Sequence, residues 1–144
     1  MLTRLIYHSE NHIGGTSGKM VASLNTIMEA AIRNNQRANI TGALIFDSLW
    51  FVQILEGERE AVSETLRRIM RDERHDNVTV MDATLIEQRH FGNWWMGLGT
   101  TRDESLYARH GITRFNPRQM TGAQALAIAL DLAAVGLSRK LAPA

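Results

Sequence analysis

Two β-favouring stretches, Ile40 to Phe46 and Trp50 to Glu56, are separated only by Asp47-Ser48-Leu49. That connection has the length and chemistry of a hairpin turn. In the second stretch Val52 and Ile54 alternate with Phe51 and Leu55, so both of its faces are apolar. A strand of this kind must be covered on both sides. The hairpin therefore has to sit inside a layered structure. The chain has 144 residues, one domain's worth, and a chain of that size buries about two thirds of its unfolded surface.

The remaining elements follow from periodicity. Leu2 to Tyr7 reads as a strand, and His12 to Gly18 as a loop in which Thr16 or Ser17 caps the next helix. Val21, Leu24, Ile27, Met28, Ala31 and Ile32 recur at helical spacing, with the helix expected to end near Asn34-Asn35. Gly57 is expected to end the second hairpin strand, and Val62, Leu66 and Ile69 mark a second amphipathic helix from Glu58 to about Arg71. Val78 to Ile86 and Trp94 to Leu98 read as fourth and fifth strands. This order predicts an α+β, ferredoxin-like split βαβ arrangement: a mixed five-stranded sheet with two helices on one face. The other face needs a cover, and the natural candidate is a C-terminal helical segment. Thr121 and Gln124 form a capping-box pattern before a helix that is apolar nearly all round, placed either on the sheet or in an oligomer interface. Thr100 to Gln119 reads as a polar connector. The expected division is 1–99 for the sheet domain and 100–144 for a helical cap.

Composition narrows the chemistry. Sixteen basic and 15 acidic residues give a net charge of +1, which argues against direct nucleic-acid or anionic-membrane binding. The apolar tract Ala125 to Leu137 is too short to span a bilayer and carries Asp131. The amino terminus lacks the pattern of a signal peptide, so the cytoplasm is the expected compartment. Cysteine is absent, which excludes disulfides, thiolate metal sites and cysteine adducts. Gly14 to Lys19 misses the phosphate-loop spacing by one residue, and Met20 follows the lysine. His8 and His12 are four apart at a strand end rather than on a helix, and no metal site is expected.

More informative are polar residues on faces that should be apolar. Asn35 lies four residues after Ala31 on the buried side of the first helix, and Gln53 lies between Phe51 and Leu55. A buried amide must be hydrogen-bonded, and each could serve either a ligand or a loose backbone group. Tyr7 shares a face with Leu5. By the period-two rule Trp94 and Met96 share one face of the fifth strand. Arg68, Asp72 and His75 are spaced i, i+4, i+7 along one side of the second helix and its exit, either as a binding edge or as a solvated stripe.

These residues fall within five ordered blocks: Leu5-Ile6-Tyr7-His8-Ser9; Asn35 with Ile40-Thr41-Gly42-Ala43-Leu44; Phe51 to Gly57; Arg71 to His75; and Arg89 to Met96. Over about Leu2 to Leu98 the chain resembles the BLUF family of flavin-using blue-light sensors. The resemblance implies a non-covalent flavin, usually FAD, with FMN or riboflavin as alternatives, held between the two helices. It implies that Tyr7 is the photochemical tyrosine and that Gln53 stands between it and the flavin. Asn35, Arg68 and Asp72 are then ring contacts, His75 is close to the site, and Trp94 and Met96 are switch residues.

The expected activity is that of a blue-light photoreceptor rather than an enzyme. Tyr7 supplies an electron and a proton, Gln53 rearranges, and the change passes to a separate regulatory protein or enzyme. A homo-oligomer is expected from the apolar last helix. The alternative from the residues alone is a small ferredoxin-like enzyme or binding module that uses Asn35, Arg68 and His75 on an anionic substrate.

Overall fold

The computed structural model describes residues 1–13, 17–100 and 104–137, with the side chains of Ser17, His75, Thr100 and Glu104 left aside. The elements are β1 (Leu2–Asn11), α1 (Ser17–Ala38), β2 (Thr41–Phe46), β3 (Trp50–Glu58), α2 (Arg59–Met70), β4 (His75–Leu85), β5 (Gly97–Thr100), α3 (Glu104–Ala108), a 3-10 turn (Pro117–Gln119) and α4 (Gly122–Val135). The sheet order is β4-β1-β3-β2-β5. β5 runs parallel to β2, and the other pairs are antiparallel. This is the expected ferredoxin-like mixed sheet, extended by one strand beside β2.

The hairpin forms as its turn chemistry dictates. Asp47 Oδ1 accepts from the backbone N–H of both Leu49 and Trp50, each at 2.8 Å. Both faces of β3 are buried, as its apolar alternation requires. On one side Leu5, Tyr7, Leu44, Phe51 and Leu55 pack against Leu24 and Met28 of α1 and Val62 of α2. On the other, Ile6, Ile45, Val52 and Ile54 pack with Phe91 and with Ala125, Ile128 and Ala129 of α4. The last helix thus lays one face on the sheet.

Several boundaries differ from the sequence reading. β1 continues to Asn11 because Ser9 and Glu10 still pair with Phe51 and Trp50. α1 continues past Asn35 to Ala38 and ends where Asn39 takes a left-handed φ of 56°. Gly57 does not end β3 but pairs with Thr3, and a Cβ there would stand 2.5 Å from Ile40 Cδ1. The glycine therefore permits close approach rather than a break. β4 begins at His75, and β5 begins only at Gly97, so Trp94 and Met96 precede the strand. The stretch read as a polar connector buries Leu106, Tyr107, Ile112 and Phe115 in the α4-side core. Their spacing follows no single period, because they sit on a short helix and irregular turns. Thr16 lies outside the described residues, so the expected cap on α1 is not described.

The capping box on α4 forms on both sides. Gln124 N–H donates to Thr121 Oγ1 at 3.1 Å, and Thr121 N–H donates to Gln124 Oε1 at 2.9 Å. Removing a hydroxyl cap costs about 1 kcal/mol, whereas truncating a fully buried isoleucine costs about 2–5 kcal/mol. Thr121→Ala should therefore lower the unfolding free energy modestly in denaturant titration, and Ile128→Ala several-fold more. Equal losses would contradict the burial of α4 on the sheet. His8 is buried on the same face, and burial together with the Arg118 charge holds its pKa below the usual histidine value. The unfolded chain then binds the proton more readily. His8 stability is fully present above about pH 6.5 and is lost as pH falls below it. Replacing His8 with Gln should flatten that part of the stability profile.

Candidate functional site

A cavity of about 300 Å³ opens between α1 and α2 above the sheet, at the small end of the range for small-molecule sites. Met28, Ala31, Leu44, Phe51 and Ile69 form apolar walls. Polar groups enter from several elements: Tyr7 from β1, Asn35 from α1, Gln53 from β3 and Arg68 from α2. Asp72 and Arg74 close one side from the turn after α2.

Strand register brings the central pair together. Tyr7 lies directly opposite Gln53 in the β1–β3 ladder, and Leu44 opposite Gln53 in the β2–β3 ladder. Partners directly across an antiparallel pair present their side chains on one face, and the Tyr7 hydroxyl donates to Gln53 Oε1. Between the partners of Ile6 and Tyr7, β4 carries an extra residue, Met81, at a bulge. Burial, and secondarily the nearby Asp72 charge, push the Tyr7 phenol above its usual range. Tyr7 is thus held as a neutral phenol with a defined proton acceptor. The other end of the amide, Gln53 Nε2, donates to Met96 Sδ at 3.5 Å. Asn35 Nδ2 donates to the Trp95 carbonyl at 2.7 Å. The last turn of α1 is thereby tied to the segment that enters β5.

The charged side is organised around Asp72. The Arg74 guanidinium grips its carboxylate at 2.9 and 2.5 Å, and Arg74 N–H adds a bond at 3.0 Å. Arg74 was not among the residues that the pattern singled out. Its signal is the two-residue spacing from Asp72 in a turn, which helical spacing does not detect. Among the described residues the Arg68 side chain has no hydrogen-bond or ion-pair partner, so it is a free cation at the cavity. Asp72 follows the end of α2 at Met70 and is not part of a continued helical stripe with His75. The His75 backbone opens β4 opposite Asn11, and its side chain lies outside the described residues.

Trp94 and Met96 do not share a face. Met96 is buried with the α1–α2 core at the cavity, whereas Trp94 packs against the α4-side core. The period-two rule fails because these residues lie in an irregular turn, where Trp94 N–H donates to the Phe91 carbonyl at 3.1 Å. A second polar group stands away from the cavity, where Glu10, His12 and Asp76 bring ligand-type atoms within 4.8 Å of one another. Glu10 there already accepts from Asn77 and, at 3.3 Å, from Arg118.

The cavity suits a flat, largely apolar ring with one polar edge. Asn35 and Gln53 offer amide donors and acceptors to that edge, and Arg68 offers a positive charge. Among the described residues no helix is long and apolar enough to cross a membrane.

Comparison with known proteins converges on one family. The family model described as "Sensors of blue-light using FAD" matches residues 2–97. The blue light- and temperature-regulated antirepressor BluF of Escherichia coli is 36% identical over 98 residues, covering 68% of this chain and 23% of the antirepressor. The photoactivated adenylate cyclase subunit beta of Euglena gracilis is 33% identical over 102 residues, covering 71% of this chain and 11% of that subunit. This chain thus spans less than a quarter of either relative. Among solved structures, BlsA in its photo-activated state superposes with a TM-score of 0.85 at 25% identity, over 96% of this chain and 99% of BlsA. The dark state of BlrB gives 0.76 at 28% identity, over 93% and 96%. With the family model matched across β1 to β4, the cavity-flanking helices α1 and α2 and the approach to β5, the chain belongs to the BLUF family of blue-light sensors, which bind flavin.

Proposed function

We propose that the flavin is FAD, that its ring lies in the cavity between α1 and α2, and that the Tyr7–Gln53 pair is the light-driven switch. The observation that carries this reading is the hydroxyl of Tyr7 donating to Gln53 Oε1 in a buried cavity. The residues fit a flavin: apolar walls from Met28, Phe51 and Ile69 would face its rings, and Asn35, Gln53 and Arg68 would meet its polar edge.

Photoexcitation of a bound flavin supplies a strong oxidant. Tyr7 can give up an electron to that oxidant, and its acidified phenol proton has Gln53 Oε1 as a ready acceptor; an electron and a proton return to Tyr7 once the amide has rearranged, so no net redox change remains. Rotation or tautomerisation of the amide then exchanges its donor and acceptor ends. The Nε2 contact with Met96 Sδ is lost or remade in the same event, so the sulfur senses which end of the amide faces it. Asn35 holds the Trp95 carbonyl while this occurs, and Asp72 with Arg74 and Arg68 orients the ring's polar side.

The proposed output path continues along the chain. Gly97 and Gly99 leave space that Leu137 and Leu132 fill, and a Cβ at Gly97 would stand 2.5 Å from Leu137 Cδ1 and 3.2 Å from Trp94 Cγ. A shift of the 94–97 segment therefore bears directly on Leu137, just past the end of α4. We assign 100–144 as the segment that passes the signal to a separate protein, the chain itself acting as a sensor and not as an enzyme. The antirepressor and cyclase relatives indicate the kind of partner: a regulator or an effector enzyme.

The protein loaded with flavin should be yellow, and blue light should shift its absorption reversibly to the red. Tyr7→Phe should keep flavin and lose the shift, because the shape stays while the proton and the easily oxidised phenol go. Gln53→Leu should lose it too. A normal shift in either variant contradicts the switch, and a protein that takes up no flavin contradicts the whole reading. Asn35→Ala removes a hydrogen-bond donor at the cavity. It should weaken flavin binding by about 1.5 kcal/mol, roughly tenfold in Kd by fluorescence titration.

A further inference from the structure

The switch leaves one fully buried acid unused. Glu56 lies three residues beyond Gln53 on β3 and therefore on the opposite face of the sheet. Its side chain is wholly shielded from solvent. Among the described residues it forms no ion pair. Its two carboxylate oxygens instead hold adjacent backbone amides: Oε1 accepts from Phe91 N–H at 2.7 Å and Oε2 from His90 N–H at 3.0 Å.

Neighbouring contacts reinforce this anchor. Arg89 Nη1 donates to the Glu56 carbonyl at 2.8 Å and to Thr41 Oγ1 at 2.9 Å, and Nη2 donates to the Asn39 carbonyl at 2.8 Å. Arg4 Nη1 lies 2.9 Å from His90 Nδ1. Residues 89–91 are thus fixed to β1, β2, β3 and the end of α1. From that anchor the chain runs directly to the switch. Phe91 O accepts from Trp94 N–H, Trp94 O accepts from Gly42 N–H, both at 3.1 Å, and two residues later Met96 Sδ meets Gln53 Nε2.

We propose that Glu56 is a positioning residue for the photoswitch: its carboxylate, by clamping the amides of His90 and Phe91, fixes the path of residues 89–96 and so holds the Met96 sulfur against Gln53. The proposal rests on the reading of Gln53 as the rearranging group. A carboxylate is required because two N–H donors converge on it. An amide at this position offers one acceptor, and its NH2 group faces the second donor. The unpaired N–H is then buried, and the loop relaxes to recover a partner. A looser Met96 constrains Gln53 less in both of its arrangements, so the barrier between them falls.

The test is the dark-recovery rate of the red-shifted flavin in wild type, Glu56→Gln, Arg89→Ala and Asp47→Ala, measured well below the lowest unfolding midpoint. Asp47→Ala removes the hairpin-turn acceptor at the opposite end of β3 from Glu56 and controls for general destabilisation. Glu56→Gln is expected to bind flavin and to recover roughly threefold faster or more, Arg89→Ala to accelerate in the same direction, and Asp47→Ala to recover at the wild-type rate. If Glu56→Gln does not fold, Arg89→Ala carries the test alone. A wild-type rate in folded Glu56→Gln, a wild-type rate in Arg89→Ala where Glu56→Gln does not fold, or equal acceleration by Asp47→Ala, would overturn the clamp and leave the switch intact. A wild-type protein with no red shift, or a normal shift in Gln53→Leu, would instead overturn the switch reading on which the clamp depends.

Discussion

The β1–β3 register is the constraint on which the remainder depends. It sets Tyr7 opposite Gln53, and both must face the same side for a phenol and an amide to meet. A slip of one residue would send Gln53 to the α4 face and bring Val52 or Ile54 into the cavity. The register is held by apolar burial on both faces, Leu5 and Leu55 above and Ile6 and Ile54 below. The same double-sided burial that makes β3 so apolar therefore also secures its one polar member at the cavity.

The two cores are also linked through the segment before β5. It belongs to neither face, because Met96 lies in one core and Trp94 in the other. A strand here would have put both side chains on one side and coupled the cavity to a single layer. The irregular turn instead lets adjacent parts of one short segment touch Gln53 and the core under the C-terminal helix. Gly97 and Gly99 keep the backbone bare where Leu132 of α4 and Leu137 just beyond it approach, so small displacements meet a closely packed partner rather than empty space.

Much of this was legible in the residues. The alternating apolar faces of β3 required two cores, the Asp47 turn fixed the hairpin, and Thr121 with Gln124 located α4. Asn35 and Gln53 stood out because amides are out of place on apolar faces, and both do line the cavity. What escaped was irregular. Periodicity assumes a regular element, so it placed Trp94 and Met96 together, read Arg68, Asp72 and His75 as one helical stripe, and overlooked Leu106, Tyr107, Ile112 and Phe115 as core. Arg74 and Glu56 escaped for a related reason: their partners are a turn carboxylate and distant backbone amides, which no local spacing encodes.

The most direct measurement is the light-minus-dark infrared difference spectrum of the flavin-loaded protein. If Gln53 rearranges to donate to the ring, a ring carbonyl stretch should move to lower frequency in the wild type, because a stronger hydrogen bond weakens the C=O bond. The same band should stay unchanged in Gln53→Leu. A downshifted carbonyl in Gln53→Leu would contradict the account, since the bond would then form without the amide said to make it.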